Sequence, residues 1–266
     1  MQLLHGAEPF RLDAGPSRVL LLHGFASTPF EMRYLGEKLQ QAGYTSVCPL
    51  LPGHGTDPAV LARTRWQDWA STAQEALQRL HREAGRQKVA VVGQSLGALL
   101  ALQLAALFPE TVAALACLAT LLEVGTLSGA AVTAYRYSLL RLLDLSVPRP
   151  GGADIRETRL RRGLPSYDRV PLRAAASLRE LQGKVARLLP RVRAPLLVLH
   201  GRQDHTAPLD SAEQVVRQAA SSAKRLEIFP GSYHVLSLDV EKSEVATAIL
   251  DFFRVHHQAG EKSPPL

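Results

Sequence analysis

Two cysteines in 266 residues are too few for a disulfide framework. Cys48 and Cys117 both fall inside apolar runs that read as strands, where a thiol behaves as a small buried hydrophobe. The expected setting is therefore intracellular, in the cytoplasm. No apolar run reaches the roughly 18 residues that a membrane span needs. The stretch Met1–Gly6 has no basic region followed by a long apolar run, so no secretory signal is expected. Also missing are H-E-x-x-H, paired C-x-x-C, G-x-x-x-x-G-K-[ST] and G-x-G-x-x-G. Their absence removes the metal, phosphate-cradle and dinucleotide readings, and the chemistry is expected to need no cofactor. Aromatics are sparse at 6% and form no stacking pattern in the basic segment. With no helix-turn-helix signature either, no nucleic-acid partner is expected.

What is present is a globular composition, 46% hydrophobic and 21% charged, at a length that one α/β domain often reaches. Six short Val-, Leu- and Ile-rich runs read as buried strands: Val19–Leu22, Thr45–Leu50, Val89–Val92, Leu115–Ala119, Leu196–His200 and Leu226–Phe229. Helical periodicity separates them. Pro29–Ala42 ends at Gly43, a suitable left-handed cap, and Trp66–Ala84 repeats apolar residues at three and four. Leu96–Leu107 is apolar nearly all round, as a helix at the centre of a domain would be. Ser211–Ala220 and Val240–His256 complete the helices. The alternation predicts an α/β fold, a mostly parallel, doubly wound sheet with helices on both faces.

Between Leu121 and Arg193 the alternation fails. That segment reads as helical, is broken by Pro148, Pro150, Gly151 and Gly152, and is too long for an ordinary connection. Residues 121–193 are therefore expected to form an inserted cap on a core made of 1–120 and 194–266. The tail from Gly260 to Leu266 is expected to fray. The net charge of +7 also concentrates here: 136–193 holds 14 basic and five acidic residues, an excess of +9, leaving −2 elsewhere. A solvated Arg-rich surface is the simpler reading. The functional one is attraction to anionic substrates, or a weak contact of the basic cap with anionic lipid surfaces.

The strongest motif is Gly93-Gln94-Ser95-Leu96-Gly97, which follows one predicted strand directly and opens the apolar helix. That is the context of a nucleophile elbow. The turn is so tight that side chains at Gly93 and Gly97 would collide. Ser95 is the expected nucleophile, but a serine hydroxyl needs a base. His234 follows the last predicted strand in a loop able to reach the sheet's carboxyl edge. His200, His81, His256 and His257 sit within a strand, on helices or near the end and are weaker candidates. Asp204 lies just past the strand Leu196–His200, where catalytic groups of open α/β sheets gather, and is the expected partner of the base. The adjacent His205 reads as structural. The oxyanion of a tetrahedral intermediate would be met by the N–H of Leu96 and, from His23-Gly24-Phe25, the N–H of Phe25. His23 and His54 read as loop braces.

At these residues the sequence resembles bacterial carboxylesterases and monoacylglycerol lipases of the α/β-hydrolase superfamily. Three stretches carry the likeness: VLLLHGFASTPFEMRYLGEKLQQAGYTSVCPLLPGHG from Val19, VAVVGQSLG, and PLLVLHGRQDHTAPLDSA through EIFPGSYHVLSLD. The resemblance implies a triad at Ser95, Asp204 and His234, oxyanion donors at Phe25 and Leu96, and a small helical cap. It also implies action on small-molecule substrates, short- to medium-chain esters or monoacylglycerols, the single Gly before Phe25 pointing to esters of unhindered alcohols. Two departures stand out. Tyr233 occupies a place where the family usually has Gly, and the cap is rich in Arg. Thioesterases, lysophospholipases and C–C bond hydrolases share such a triad, and a ligand-binding protein can keep the fold without turnover. A serine at the elbow argues against dehalogenases and epoxide hydrolases, whose covalent step uses a carboxylate.

Overall fold

Runs of apolar residues without alternation form strands buried on both faces. The computed structural model describes residues 2–123, 132, 134–135, 138, 143–149, 152–161 and 163–257. Its strands are β1 (Phe10–Leu12), β2 (Arg18–Leu22), β3 (Thr45–Cys48), β4 (Val89–Gln94), β5 (Val112–Leu118), β6 (Ser146–Pro148), β7 (Arg169–Pro171), β8 (Leu196–Gly201) and β9 (Lys224–Phe229). Seven make one sheet in the order β1-β3-β2-β4-β5-β8-β9, all parallel except β1. The helices are α1 (Phe30–Gln41), α2 (Pro58–Leu61), α3 (Trp66–Glu83), α4 (Leu96–Leu107), α5 (Thr158–Arg161), α6 (Leu172–Leu188), α7 (Leu209–Gln218) and α8 (Lys242–His256).

Successive strand residues face opposite layers. Leu20 and Leu22 of β2 join Val91, Cys117 and Val198 in a core covered by α3, α4, α6 and α7. Val19 and Leu21 point the other way, with Val92, Ala116 and Leu199, into a core covered by α1 and α8. Cys48 and Cys117 are buried and unpaired. The chain runs outward from β2 to β3, then returns across β2 to β4. Winding therefore reverses between β2 and β4, and ligands of open α/β sheets bind at such a reversal, outside the strands' carboxyl ends. Among the described residues no helix is long and apolar enough to cross a membrane.

Two elements depart from the sequence reading. β1 is a three-residue antiparallel edge strand, too short to show a period. The segment between β5 and β8 is not wholly helical, because β6 and β7 pair antiparallel with Val147 opposite Val170. Each of these valines precedes a proline, which disfavours the helical region and leaves the residue extended. Arg136, Arg141, Pro150, Gly151, Arg162 and the tail from Gly260 lie outside the described residues.

Candidate active site

The turn from β4 to α4 holds Ser95 at φ +57° and ψ −110°, a conformation that residues with a Cβ rarely adopt. A Cβ on Gly93 would stand 2.2 Å from the Gly97 carbonyl oxygen, and one on Gly97 only 2.0 Å from Leu22 O. Both contacts are with backbone, so neither position accepts a side chain. The close approach seats α4 against the end of β2 and lifts the Ser95 hydroxyl above the sheet. Two further loops meet it there. The Ser95 O–H donates to His234 Nε2 at 2.9 Å, and His234 Nδ1–H donates to Asp204 Oδ2 at 2.8 Å. The carboxylate can only accept, so Nδ1 carries the proton and Nε2 is left as the acceptor.

Each member is braced. Asp204 Oδ1 accepts from the N–H groups of Thr206 and Ala207, both at 2.8 Å. Gln94 Nε2 donates to His234 O at 2.7 Å, tying the elbow to the histidine loop. Gly201, the last residue of β8, lies under the same loop, and a Cβ there would stand 2.3 Å from Tyr233 O. Burial pulls the His234 imidazole down, but the charge and hydrogen bond of Asp204 outweigh it and leave the pKa above its ordinary value. For Asp204, burial works upward and is outweighed by His234, so the carboxyl sits below its ordinary value. The pair is poised to hold a positive imidazolium beside a negative carboxylate.

The loop after β2 faces Ser95 from the other side. A Cβ on Gly24 would stand 3.0 Å from Glu31 Oε1, closer than an ordinary contact, so the glycine leaves room for that carboxylate beneath the loop. Among the described residues the N–H groups of Phe25 and Leu96 donate to no protein acceptor. His23 braces this loop: its Nε2 accepts from Leu51 N–H at 3.1 Å, so Nδ1–H donates to Gly24 O at 2.9 Å. Burial, followed by the neighbouring His54, holds His23 well below its ordinary pKa. His54 packs against His23, Phe25 and Trp69, and burial pushes it down to about 4. Both are neutral braces near pH 7, as the sequence suggested. His200 is also buried, its Nε2 3.1 Å from Ala207 O and 3.6 Å from Asp204 Oδ2.

Sequence reasoning missed three carboxylates. Glu31 is buried, with Oε1 accepting from Gly24 N–H and Oε2 from the Ser27 hydroxyl. Burial raises its pKa despite those bonds. Thr28-Pro29-Phe30-Glu31 has the spacing of a capping box, but the carboxylate turns to the β2 loop instead. Asp154 accepts from His205 Nδ1 at 2.9 Å and Thr206 Oγ1 at 3.1 Å, and its carbonyl accepts from His234 N–H. His205 in turn meets the Tyr233 ring edge-on at 4.6 Å. Asp239 accepts from the backbone N–H groups of Tyr233 (2.7 Å), Val240 (2.9 Å), Arg156 and Glu157. It thus clasps the residue before His234 to the segment between β5 and β8. An amide has one accepting oxygen, so Asp239→Asn is expected to lose about 1–3 kcal/mol of stability. Urea unfolding would measure the loss, and an unchanged midpoint would contradict the clasp.

A cavity of about 350 Å³ opens beside Ser95 and His234. Its wall is mainly apolar, with Leu121, Val147, Val170 and Leu178 among the contributors, but it also includes Glu31, Arg149 and Arg179.

A doubly wound sheet that presents a serine on a strained β-turn-α elbow to a histidine and an aspartate from later loops defines an α/β-hydrolase. The chain belongs to the family described as serine aminopeptidase, S33, whose model matches residues 16–241. It is 31% identical over 258 residues to a thermostable monoacylglycerol lipase of Bacillus sp. (strain H-257), covering 96% of this chain and 97% of that one. It is 26% identical over 245 residues to a carboxylesterase of Bacillus subtilis (strain 168), covering 92% and 95%. A solved structure from the metagenome-derived lipolytic enzymes LipS and LipT superposes with a TM-score of 0.87 at 31% identity, over 96% of this chain and 100% of that one.

Proposed function

We propose that this chain hydrolyses carboxylic esters of short- to medium-chain acids, monoacylglycerols among them, with Ser95 as nucleophile, His234 as base and Asp204 as its partner. The carrying observation is the continuous Ser95–His234–Asp204 relay at 2.9 and 2.8 Å. The names of the two Bacillus relatives, a monoacylglycerol lipase and a carboxylesterase, support the ester class.

Ser95 Oγ attacks the ester carbonyl while its proton passes to His234 Nε2. The carbonyl oxygen becomes an oxyanion, met by the N–H groups of Phe25 and Leu96 at the positive end of α4. His234 then returns the proton to the leaving alkoxide, and the acyl group stays on Ser95. Water repeats the sequence, giving up a proton to His234 and releasing the acid. The segment 121–193 acts as a cap over this cavity and shapes the acyl site. Leu143, Leu145 and Val147 are exposed on it, and together with its positive charge they favour weak contact with anionic lipid surfaces.

Purified protein assayed against p-nitrophenyl esters from acetate to palmitate should show turnover that peaks at one chain length. No turnover at any length by folded protein would overturn the ester reading in favour of thioester or C–C substrates.

The pH profile has a definite sign. Only neutral imidazole accepts the Ser95 proton, and His234 sits above its ordinary value of 6.5. On the acid side, kcat/KM should therefore fall about tenfold per pH unit, with a midpoint above 6.5. A profile flat from about pH 5 to 9 would exclude His234 as the base.

A further inference from the structure

A guanidinium set against apolar walls is unfavourable unless an anion meets it. Arg149 follows β6 and lines the cavity alongside Ser95 and His234. Its backbone N–H donates to Asp168 O at 2.7 Å, but among the described residues its guanidinium makes no hydrogen bond or ion pair. The acids nearby are already engaged. Glu31 is held by Gly24 and Ser27, and Asp154 by His205 and Thr206. Their fields favour the Arg149 charge without touching it, while burial opposes it. Arg179, which also lines the wall, reaches among the described residues only the neutral Gln182 Oε1 at 3.4 Å.

We infer that Arg149 forms an anion subsite beside the reacting serine, so that the preferred substrate is an ester bearing a carboxylate or a phosphate. This rests on the ester-hydrolase reading and narrows its substrate class. The planar fork of a guanidinium matches both groups bidentately. A neutral monoacylglycerol would leave Arg149 unpaired, whereas an anionic ester supplies the missing partner. The anionic group takes no part in the bond changes. The acyl C–O bond breaks, water adds its hydroxyl to the acyl carbon and its proton to the alkoxide, and the charge serves only to bind. Arg149 is thereby a specificity-determining residue.

Two matched pairs of esters test this and separate the two anions. One pair is the mono-p-nitrophenyl ester of glutaric acid against p-nitrophenyl valerate. The other is 1-decanoyl-glycerol 3-phosphate against 1-decanoylglycerol. In each pair the readout is the ratio of kcat/KM for the anionic member to that for the neutral one. In Arg149→Met this ratio should fall about tenfold or more for at least one pair, as loss of a charge-assisted contact implies. Arg149→Lys, which keeps the charge but not the fork, should lie between. A fall in the first pair alone identifies a carboxylate substrate, and in the second alone a phosphate. Ratios unchanged in both pairs overturn the subsite.

Titration of Ser95→Ala with the same four compounds reads the subsite without turnover. The favoured anionic member should bind at least about tenfold more tightly than its neutral counterpart, and Ser95→Ala/Arg149→Met should lose the difference. Equal affinities overturn the subsite. Wild-type inactivity toward all four would instead overturn the ester-hydrolase reading, and the titration still decides the subsite.

Discussion

Replacing Ser95 by alanine is expected to lower kcat by a factor on the order of 10⁴ or more on every ester the wild type turns over. The change removes a single atom of consequence, the Oγ that faces His234 Nε2 at 2.9 Å. It should leave the fold intact. The Ser95 side chain makes no capping hydrogen bond to α4, and the positive φ strains alanine no more than serine. The thermal midpoint should therefore stay close to that of the wild type while turnover collapses. Weak residual catalysis is expected, because Phe25 and Leu96 can still stabilise an oxyanion formed by attacking water. Loss of less than about tenfold would mean that another group performs the attack.

Asp204→Asn is expected to lower kcat by a similar factor, about 10⁴, for a different reason. Asp204 Oδ1 is fixed by the N–H groups of Thr206 and Ala207, both at 2.8 Å. These donors can be satisfied only by an oxygen, so the asparagine amide must turn its NH2 toward His234. An NH2 group donates, which forces Nδ1 to accept and moves the ring proton to Nε2. That nitrogen then faces the Ser95 hydroxyl with no free lone pair and cannot take its proton. The variant should stay folded and should also lose the charge that raises the His234 pKa. Its residual activity should accordingly titrate with a lower midpoint than that of the wild type. An Asp204→Asn enzyme with near wild-type kcat would show that the histidine needs no tautomer control from this residue.

Much of the fold was legible because the central strands are apolar on both faces. β2, β4, β5 and β8 are Val-, Leu- and Ala-rich runs, and α4 is a helix without a polar side. The three residues brought together at the site were legible by position, each lying just past a strand: Ser95 after β4, Asp204 after β8 and His234 after β9. The antiparallel β6–β7 pair was not, because its three-residue strands are too short to show a period and Pro148 read as a break in a helical segment. The bracing carboxylates escaped for another reason. Nothing within a few residues of Asp239 signals that it holds four N–H groups from two parts of the chain. Glu31 has the spacing of a helix cap and a different use. Arg149 is one of 13 arginines between 136 and 193, and only the cavity distinguishes it from its neighbours.

The most direct test of the account is rapid mixing of the protein with a p-nitrophenyl ester, followed by acid quench and mass analysis of the intact chain and its peptides. The expected result is a burst of p-nitrophenol approaching one equivalent, with the acyl mass on the peptide containing Ser95 and absent from Ser95→Ala. Turnover with the acyl group on another residue, or undiminished in Ser95→Ala, would contradict it.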